Sequence, residues 1–211
     1  MRKMMAASAA ACIAFAAHAD TMNLNIVSCE SIEGIGAFTG TMNWSYSGGK
    51  QGYLTVSLTN TSSFPGGQLT GFGFNADPTK INVSLMSGLP AWDFIQDFPA
   101  SPYENFDYGA AVNGDFLGGG NPAPGIDIGS TGTFVFKVMG ASALLSTLDA
   151  MSFFDESKYG YAFIARFRGF DNGGSDKVIG CLEPNAVPVP MPVALAAAGL
   201  LAVGVLRRRM K

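Results

Sequence analysis

Apolar and polar residues alternate with a period of two through most of the middle of the chain. The pattern is clearest at 53–59, where Leu54, Val56 and Leu58 alternate with Thr and Ser. Because successive side chains of a strand point to opposite faces, this alternation predicts strands with one buried and one solvated face. Further strands are predicted over the ranges 22–28, 41–46, 70–75, 81–85, 132–138, 160–170 and 177–181.

Two stretches depart from this alternation. The range 141–150, ASALLSTLDA, favours a single internal helix, of about three turns at most. The range 86–131 is rich in Gly, Pro, Asp and aromatic residues and shows little periodicity, which is typical of a long functional loop. Short strands, Gly-rich turns and the absence of a visible repeat together predict an all-β fold, an antiparallel β-sandwich or jelly-roll-like domain.

Aromatic side chains stand beside carboxylates in the range 86–131, which leaves two interpretations open. Rings and carboxylates together suit carbohydrate, because rings stack on sugars and carboxylates accept hydrogen bonds from hydroxyls. The favoured interpretation is plainer: the rings close one end of the sandwich. The aromatic residues are Trp92, Phe94, Phe98, Tyr103, Phe106 and Tyr108, and the acids are Asp93, Asp97, Glu104, Asp107 and Asp115.

A carbohydrate-active enzyme is the alternative to a non-enzymatic module. Glycosidases use a pair of carboxylates that flank the scissile bond, and the acids of 86–131 supply candidates. Their spacing singles out no pair, so no catalytic residue is assigned and a non-enzymatic protein is expected.

The first nineteen residues have the three parts of a secretory signal peptide. Arg2 and Lys3 form a basic start, 4–17 is apolar, and the sequence Ala-His-Ala ends at Ala19. This order predicts cleavage between Ala19 and Asp20. Cys12 offers a lipoprotein alternative, which is disfavoured because apolar residues continue after it.

Removing both ends changes the charge of the protein. All 16 acidic residues but only seven of the 13 basic residues lie between 20 and 186, so this body carries a net charge of −9. An acidic body argues against nucleic acid and against anionic lipid surfaces as partners. The only histidine, His18, belongs to the signal peptide, which excludes Ser-His-Asp and Cys-His catalysis and His-ligated metals from the body. No cofactor is expected.

Cys29 and Cys181 are the two cysteines of the body. Because exported compartments are oxidising, a disulfide between them is predicted. It would close a loop of about 150 residues, worth about 5 kcal/mol in the chain-entropy description.

The turn sequence DNGGSD at 171–176 carries several oxygen ligands. Asp171, Asn172 and Asp176 are therefore candidate calcium ligands, although the spacing of an EF-hand loop is not met. A hairpin turn explains the Asn-Gly pair equally well.

The last 25 residues have three parts in a fixed order. A Pro-punctuated motif at 187–192 is followed by an apolar stretch at 193–206 and a basic end. As a helix the apolar stretch spans about 21 Å, which is short against a hydrocarbon core of about 30 Å. We predict a transmembrane helix whose basic end stays cytoplasmic, with the body on the other side of the membrane. The basic end consists of Arg207, Arg208, Arg209 and Lys211.

This order resembles the PEP-CTERM sorting signals of Gram-negative bacteria, and it is most similar to the variant written VPLPA-CTERM. Val187, Pro188 and Pro190 match that motif. Val189 replaces the usual Leu, Met191 replaces the usual Ala, and the Glu of the Pro-Glu-Pro version is absent. The resemblance covers 25 of 211 residues.

Two body segments, 58–74 and 163–180, are more loosely similar to segments common in the ectodomains of PEP-CTERM proteins. They carry no catalytic residue of the family.

The resemblance implies processing by an exosortase, a membrane cysteine transpeptidase that cuts near the Pro motif. The expected protein is an exported cell-envelope module, tethered to the inner membrane with its ectodomain in the periplasm. After sorting it would lie on the outer surface or in the extracellular polysaccharide. The alternative is a permanently anchored periplasmic binding protein. The expected organisation is a signal peptide at 1–19, an ectodomain at 20–183, a linker and motif at 184–192, a transmembrane helix at 193–206 and a basic tail at 207–211.

Overall fold

The computed structural model describes residues 23–77 and 80–183, and nearly all of its regular structure is β-strand. The strands are β1 (Asn23–Ser31), β2 (Phe38–Ser45), β3 (Gln51–Asn60), β4 (Gln68–Phe74), β5 (Asn82–Ser87), β6 (Trp92–Ala100), β7 (Tyr103–Val112), β8 (Thr131–Met139), β9 (Phe163–Arg168) and β10 (Ser175–Leu182). A short helix, α1 (Ser142–Leu145), and a 3₁₀ turn (Ala150–Phe153) lie between β8 and β9.

All ten strands belong to one antiparallel sheet in the order β5-β8-β3-β2-β1-β10-β9-β4-β7-β6. The first and last strands, β1 and β10, pair at its centre, and β5 and β6 form its two edges. The all-β antiparallel prediction is confirmed. Two facing layers fit the predicted sandwich, but the layers are halves of one continuous sheet that curls back on itself.

A cluster of phenylalanine rings fills the space between the two halves. Phe72 of β4 is fully buried, and its ring centroid lies 4.9 Å from that of Phe134 of β8 and 5.9 Å from that of Phe163 of β9. Trp92 of β6 lies 4.7 Å from Phe134, and Phe38 of β2 lies 5.6 Å from Phe163. These rings join strands from opposite ends of the sheet order, so their burial is what holds the sheet in its curled shape.

A second, smaller core lies on the opposite face of β9 and β10. Phe163 and Phe167 belong to the main core, whereas Ile164 packs with Phe98 and Phe116. Neighbouring residues of a strand point to opposite faces, so the β6–β7 hairpin and the segment after it cover the outer side of the sheet here.

The prediction of a long loop at 86–131 is wrong for 92–112, because this part contains β6 and β7. Alternation is hidden in β7, whose residues from Gly109 to Val112 are all buried between the two cores. In β6 it is interrupted at Asp97, where φ is 47°, and by a register shift between Pro99 and Ala100. Strands buried on both faces lose the period-two signal.

The helix predicted at 141–150 is also too long, because α1 covers four residues. Ala141 provides no side-chain cap, so the first N–H groups gain no partner from it. The hydroxyls of Ser146 and Thr147 donate to the carbonyls of Ala143 and Leu144, and such local bonds compete with helix continuation.

None of the helices in residues 23–77 and 80–183 is long and apolar enough to cross a membrane. The predicted signal peptide, the Pro motif, the helix at 193–206 and the basic tail lie outside the described residues.

Replacing Phe72 by Ala should lower the free energy of unfolding by about 3–5 kcal/mol, because it empties the centre of the ring cluster. Urea unfolding followed by tryptophan fluorescence measures the loss. Met86, which is 64% exposed, is the control, and its replacement by Ala should change stability by less than about 0.5 kcal/mol. Equal effects of the two changes would contradict the packing described here.

Candidate functional site

The predicted disulfide between Cys29 and Cys181 is confirmed. The two Cα atoms are 5.8 Å apart across a sequence separation of 152. In the β1–β10 register Cys181 faces Val27, and the register shifts between Ser28 and Glu30. Such a bulge redirects the side chain inside it, which allows Cys29 to reach a residue that is not its direct partner.

The described body begins and ends in adjacent strands. The N–H of Glu183 donates to the carbonyl of Asn25 at 3.0 Å, and the Asn25 side-chain amide donates to the Glu183 carboxylate at 3.2 Å. The predicted linker and sorting motif start at the next residue, Pro184, three positions after the disulfide-bonded Cys181. The disulfide that joins β10 to β1 therefore lies close to the point where the tail begins.

Asp176 organises the loop between β1 and β2. Its side chain is buried, and its carboxylate accepts hydrogen bonds from the hydroxyl of Ser31 at 2.6 Å and from the N–H groups of Glu33, Ile35 and Gly36 at 3.1, 3.0 and 2.8 Å. One carboxylate thus satisfies four donors and offsets the cost of its own burial.

The three calcium candidates are not brought together. Asp171 and Asn172 are exposed, and the Asn172 side chain accepts the N–H of Gly174 at 2.8 Å as a turn requires. Asp176 points instead into the β1–β2 loop. Within 23–77 and 80–183 no three His, Cys, Asp or Glu side chains are grouped so as to hold a metal ion.

The carboxylates of 86–131 lie on the β6–β7 hairpin and just after it. Asp107 is buried, forms a salt bridge with Lys158 and accepts the N–H of Ala76, and its hydrogen bond raises the pKa of Lys158. Asp115 accepts the N–H of Gly118. Asp107 thus binds a lysine and a backbone N–H group, and Asp115 binds a backbone N–H group.

The aromatic residues of the same range mainly form core. Trp92, Phe98 and Phe106 are buried, and the Trp92 indole N–H donates to the carbonyl of Pro124 at 2.9 Å. Tyr103 is half-buried, and burial with the nearby charge of Glu30 raises its pKa to about 12. The geometry supports the packing interpretation of these rings.

The outer side of β1, β2, β3 and β8 carries many hydrogen-bonding side chains. Ten polar outward residues of β1, β2, β3 and β8 form a surface that we name the hydroxyl face, which the alternation alone does not mark as a site. Val135 and Lys137 of β8 continue the same side of the sheet beyond it. The register places Thr39 beside Thr59 and Thr59 beside Thr131, and the next row runs from Thr41 through Ser57. It comprises Asn23, Asn25, Thr39, Thr41, Asn43, Thr55, Ser57, Thr59, Thr131 and Thr133.

Cross-strand hydrogen bonds order the hydroxyl face. The hydroxyls of Ser57 and Thr133 are 2.9 Å apart, and those of Thr59 and Thr131 are 2.7 Å apart. Each hydroxyl can donate once and accept twice, so these pairs keep acceptor capacity for a ligand.

A shallow cleft of about 330 Å³ lies on the hydroxyl face between β1, β2 and β3. The residues that line it include Asn25, Thr39, Thr41, Ser57 and Thr59, together with one acid, Glu183. The ten residues of the hydroxyl face carry no charge although the body is strongly acidic. This chemistry suits a ligand that is rich in neutral hydroxyl groups. The alternation at 53–59 indicates which side chains point outward, but the same pattern describes any solvated strand.

Comparison with known proteins does not assign a site. No protein-family model, curated protein or solved structure matches the chain.

Replacing Asp176 by Asn should cost about 2 kcal/mol of stability, because a charged acceptor of four hydrogen bonds is lost. Replacing the exposed Asp171 by Asn is the matched control, expected to change stability by less than about 0.5 kcal/mol. Chemical denaturation with calcium and with a chelator measures both. Equal, calcium-dependent losses in the two variants would overturn the role of Asp176 as a loop anchor.

Proposed function

We propose that this chain is an exported cell-envelope protein with a C-terminal exosortase-type sorting signal. In this proposal its β-domain is a non-enzymatic module that associates with extracellular polysaccharide. The observation that carries the association with polysaccharide is the hydroxyl face, whose ten residues are uncharged although the domain is acidic.

The tail supplies the argument for sorting. Val187, Pro188, Val189 and Pro190 precede a short apolar stretch and the basic end at 207–211, the order of a PEP-CTERM signal. The nine residues of 184–192 span at most about 30 Å when extended. That reach would separate the body from the membrane, and the motif would lie between them, where a membrane-embedded transpeptidase could cut it. The body would be held in the periplasm until it is moved to the surface or released.

The disulfide at the centre of the sheet is consistent with export. A disulfide is stable in an oxidising, exported compartment, and here it joins the first strand to the last strand, next to the start of the tail. In a domain tethered at its C-terminal end, a force on the tether acts first on the last strand, β10. A covalent link at that strand therefore stabilises the domain most. The link would keep β10 from peeling away from β1.

The two body segments that are similar to PEP-CTERM ectodomains also meet in space. Segment 58–74 contains β4 and segment 163–180 contains β9, and these strands pair, with Phe72 beside Ala165 and Phe74 beside Phe163. The two segments thus contribute to one structural unit, a pair of strands that line the main core.

The hydroxyl face supports polysaccharide as the partner. Sugar hydroxyls need both donors and acceptors, which Thr, Ser and Asn side chains provide. Strands lie about 4.8 Å apart and outward residues about 6.7 Å apart along a strand, so the rows present a regular grid to an extended chain. A net charge of −9 opposes polyanions, which favours a neutral glycan.

The sorting proposal predicts a processed protein. Mass spectrometry of the intact protein from envelope and medium fractions should show a species that starts at Asp20 and has lost the residues after the Pro motif. The same spectrum should show no free thiol at Cys29 or Cys181. A species that still ends at Lys211 in every fraction would instead support the permanently anchored alternative.

The polysaccharide proposal predicts retardation of the purified domain in native gels that contain the producing cells' neutral extracellular polysaccharide. Replacing Thr41 by Val together with Ser57 by Ala removes two hydroxyls of the cleft and should weaken the interaction about tenfold, the effect of about 1.4 kcal/mol. Thr61, which is exposed outside the hydroxyl face, is the control, and its replacement by Val should have no effect. Equal migration of all variants with and without polysaccharide would refute the proposal.

A further inference from the structure

The two edge strands of the sheet, β5 and β6, are consecutive in the chain but do not pair with each other. Only residues 88–91 separate them, and strands joined by so short a connection usually form a hairpin. Within 23–77 and 80–183, β5 pairs only with β8 and β6 only with β7. Because the sheet curls back on itself, the two edges meet at an open seam, where residues of both strands line one cleft.

The turn between β5 and β6 explains why these strands separate. The N–H of Trp92 donates to the carbonyl of Leu89 at 3.2 Å. Pro90 is the second residue of this turn and Ala91, with a φ of 63°, is the third, which are the features of a type II turn. Such a turn splays the strands on either side of it, unlike the turns of tight hairpins. Ala91 adopts a conformation that favours glycine, so the seam stays open although this strains the backbone.

The cleft of the seam has a volume of about 300 Å³ and lies next to this turn. Leu85 and Phe94 line it, are half-buried and pack against the main core, so the core is incompletely covered here. Asp93 also lines the cleft and is exposed. The one salt bridge in the described part of the chain joins Lys158 to Asp107, so the carboxylate of Asp93 has no cationic partner there.

The two edges differ in how readily a further strand can join them. An edge strand presents a row of unpaired N–H and C=O groups, and proteins protect such edges with charges, prolines and bulges. The edge strand β6 carries Asp93, Asp97 and Pro99, and Asp97 has a φ of 47°. The edge strand β5 has neither a charge nor a proline, and its one irregularity is the register shift at Met86. A further strand would therefore join β5.

The faces of the seam determine which side chains such a strand needs. Trp92 and Phe94 pack in the main core. Because neighbouring residues of a strand point to opposite faces, Asp93 points to the outer face. A strand that enters the seam therefore meets the apolar core on one face and a carboxylate on the other.

We propose that the seam binds an extended segment of a basic partner protein, which pairs with the free edge of β5 and places a lysine or arginine beside Asp93. Apolar side chains of the segment, which cover Leu85 and Phe94, alternate with basic ones. Backbone hydrogen bonds to β5 hold the segment in place, as in other cases of strand addition. A net charge of −9 on the body attracts a basic segment and repels a second copy of this chain. This inference does not depend on the proposed function.

Synthetic peptides of about six residues, the length of a typical strand, test the proposal on the purified full-length protein. One peptide alternates valine with lysine, and a second has glutamate in place of lysine. Calorimetry at about 0.15 M salt, where long-range charge effects are screened, should show saturable binding of the lysine peptide and none of the glutamate peptide. Bound lysine peptide should slow amide hydrogen exchange in β5.

A lysine peptide that is methylated at every backbone nitrogen separates strand pairing from charge. It keeps the positive charge but has no N–H donor for β5, so it should bind at least tenfold more weakly than the unmethylated peptide. Equal binding of the methylated and unmethylated peptides would overturn the proposed pairing with β5.

Replacing Asp93 by Asn should weaken binding of the lysine peptide about fivefold, as expected for an exposed ion pair worth about 1 kcal/mol. Asp93 is exposed, so this variant should still fold. Replacing Asp171 by Asn in the turn between β9 and β10 removes the same charge away from the cleft and should leave binding unchanged.

The proposal is overturned if neither peptide binds, if the lysine and glutamate peptides bind equally, or if the two variants behave alike. Sedimentation that shows a dimer dissociated by the lysine peptide would also overturn it, because a second copy of this chain would then occupy the seam.

Discussion

The pairing of β1 with β10 is the contact on which the rest of the sheet depends. It brings together the two ends of the body and lies at the middle of the strand order, with four strands on one side and four on the other. Closing so long a loop costs conformational entropy that no local interaction can offset. The Cys29–Cys181 bond removes much of that cost from folding by restricting the unfolded chain.

With the centre fixed, the two halves of the sheet can curl toward each other over the ring cluster around Phe72. This arrangement leaves one outer face, and the fold uses its two halves differently. The half formed by β9 and β10 is covered by the β6–β7 hairpin and carries Arg166, Arg168 and Lys177. The half formed by β1, β2, β3 and β8 is open and presents the hydroxyl face.

Strands with one buried and one solvent-exposed face could be predicted from the sequence. In β3, Leu54, Val56 and Leu58 are buried as the alternation indicates. In β7 burial on both faces removes the signal, and in α1 local hydroxyl bonds end a helix that the composition favours. The strand β9 is also buried on both faces, yet it is predicted within 160–170. The aromatic residues of 86–131 pack as side chains of β6 and β7 rather than across one end of the sandwich. The sequence does not reveal these strands, because a strand with core on both sides has the pattern of an irregular loop.

The sequence by itself determined the chemistry of the parts: an acidic body without histidine, two cysteines, outward Thr and Ser, and a tail with a Pro motif and a basic end. These follow from residue type and local order alone. Tertiary structure decided which residues meet. It set Asp176 against the β1–β2 loop rather than in a calcium turn, aligned hydroxyls from β2, β3 and β8 into one face, and placed Arg166 beside Lys177. Such groupings depend on strand register and sheet curvature, which arise from contacts between residues far apart in the chain.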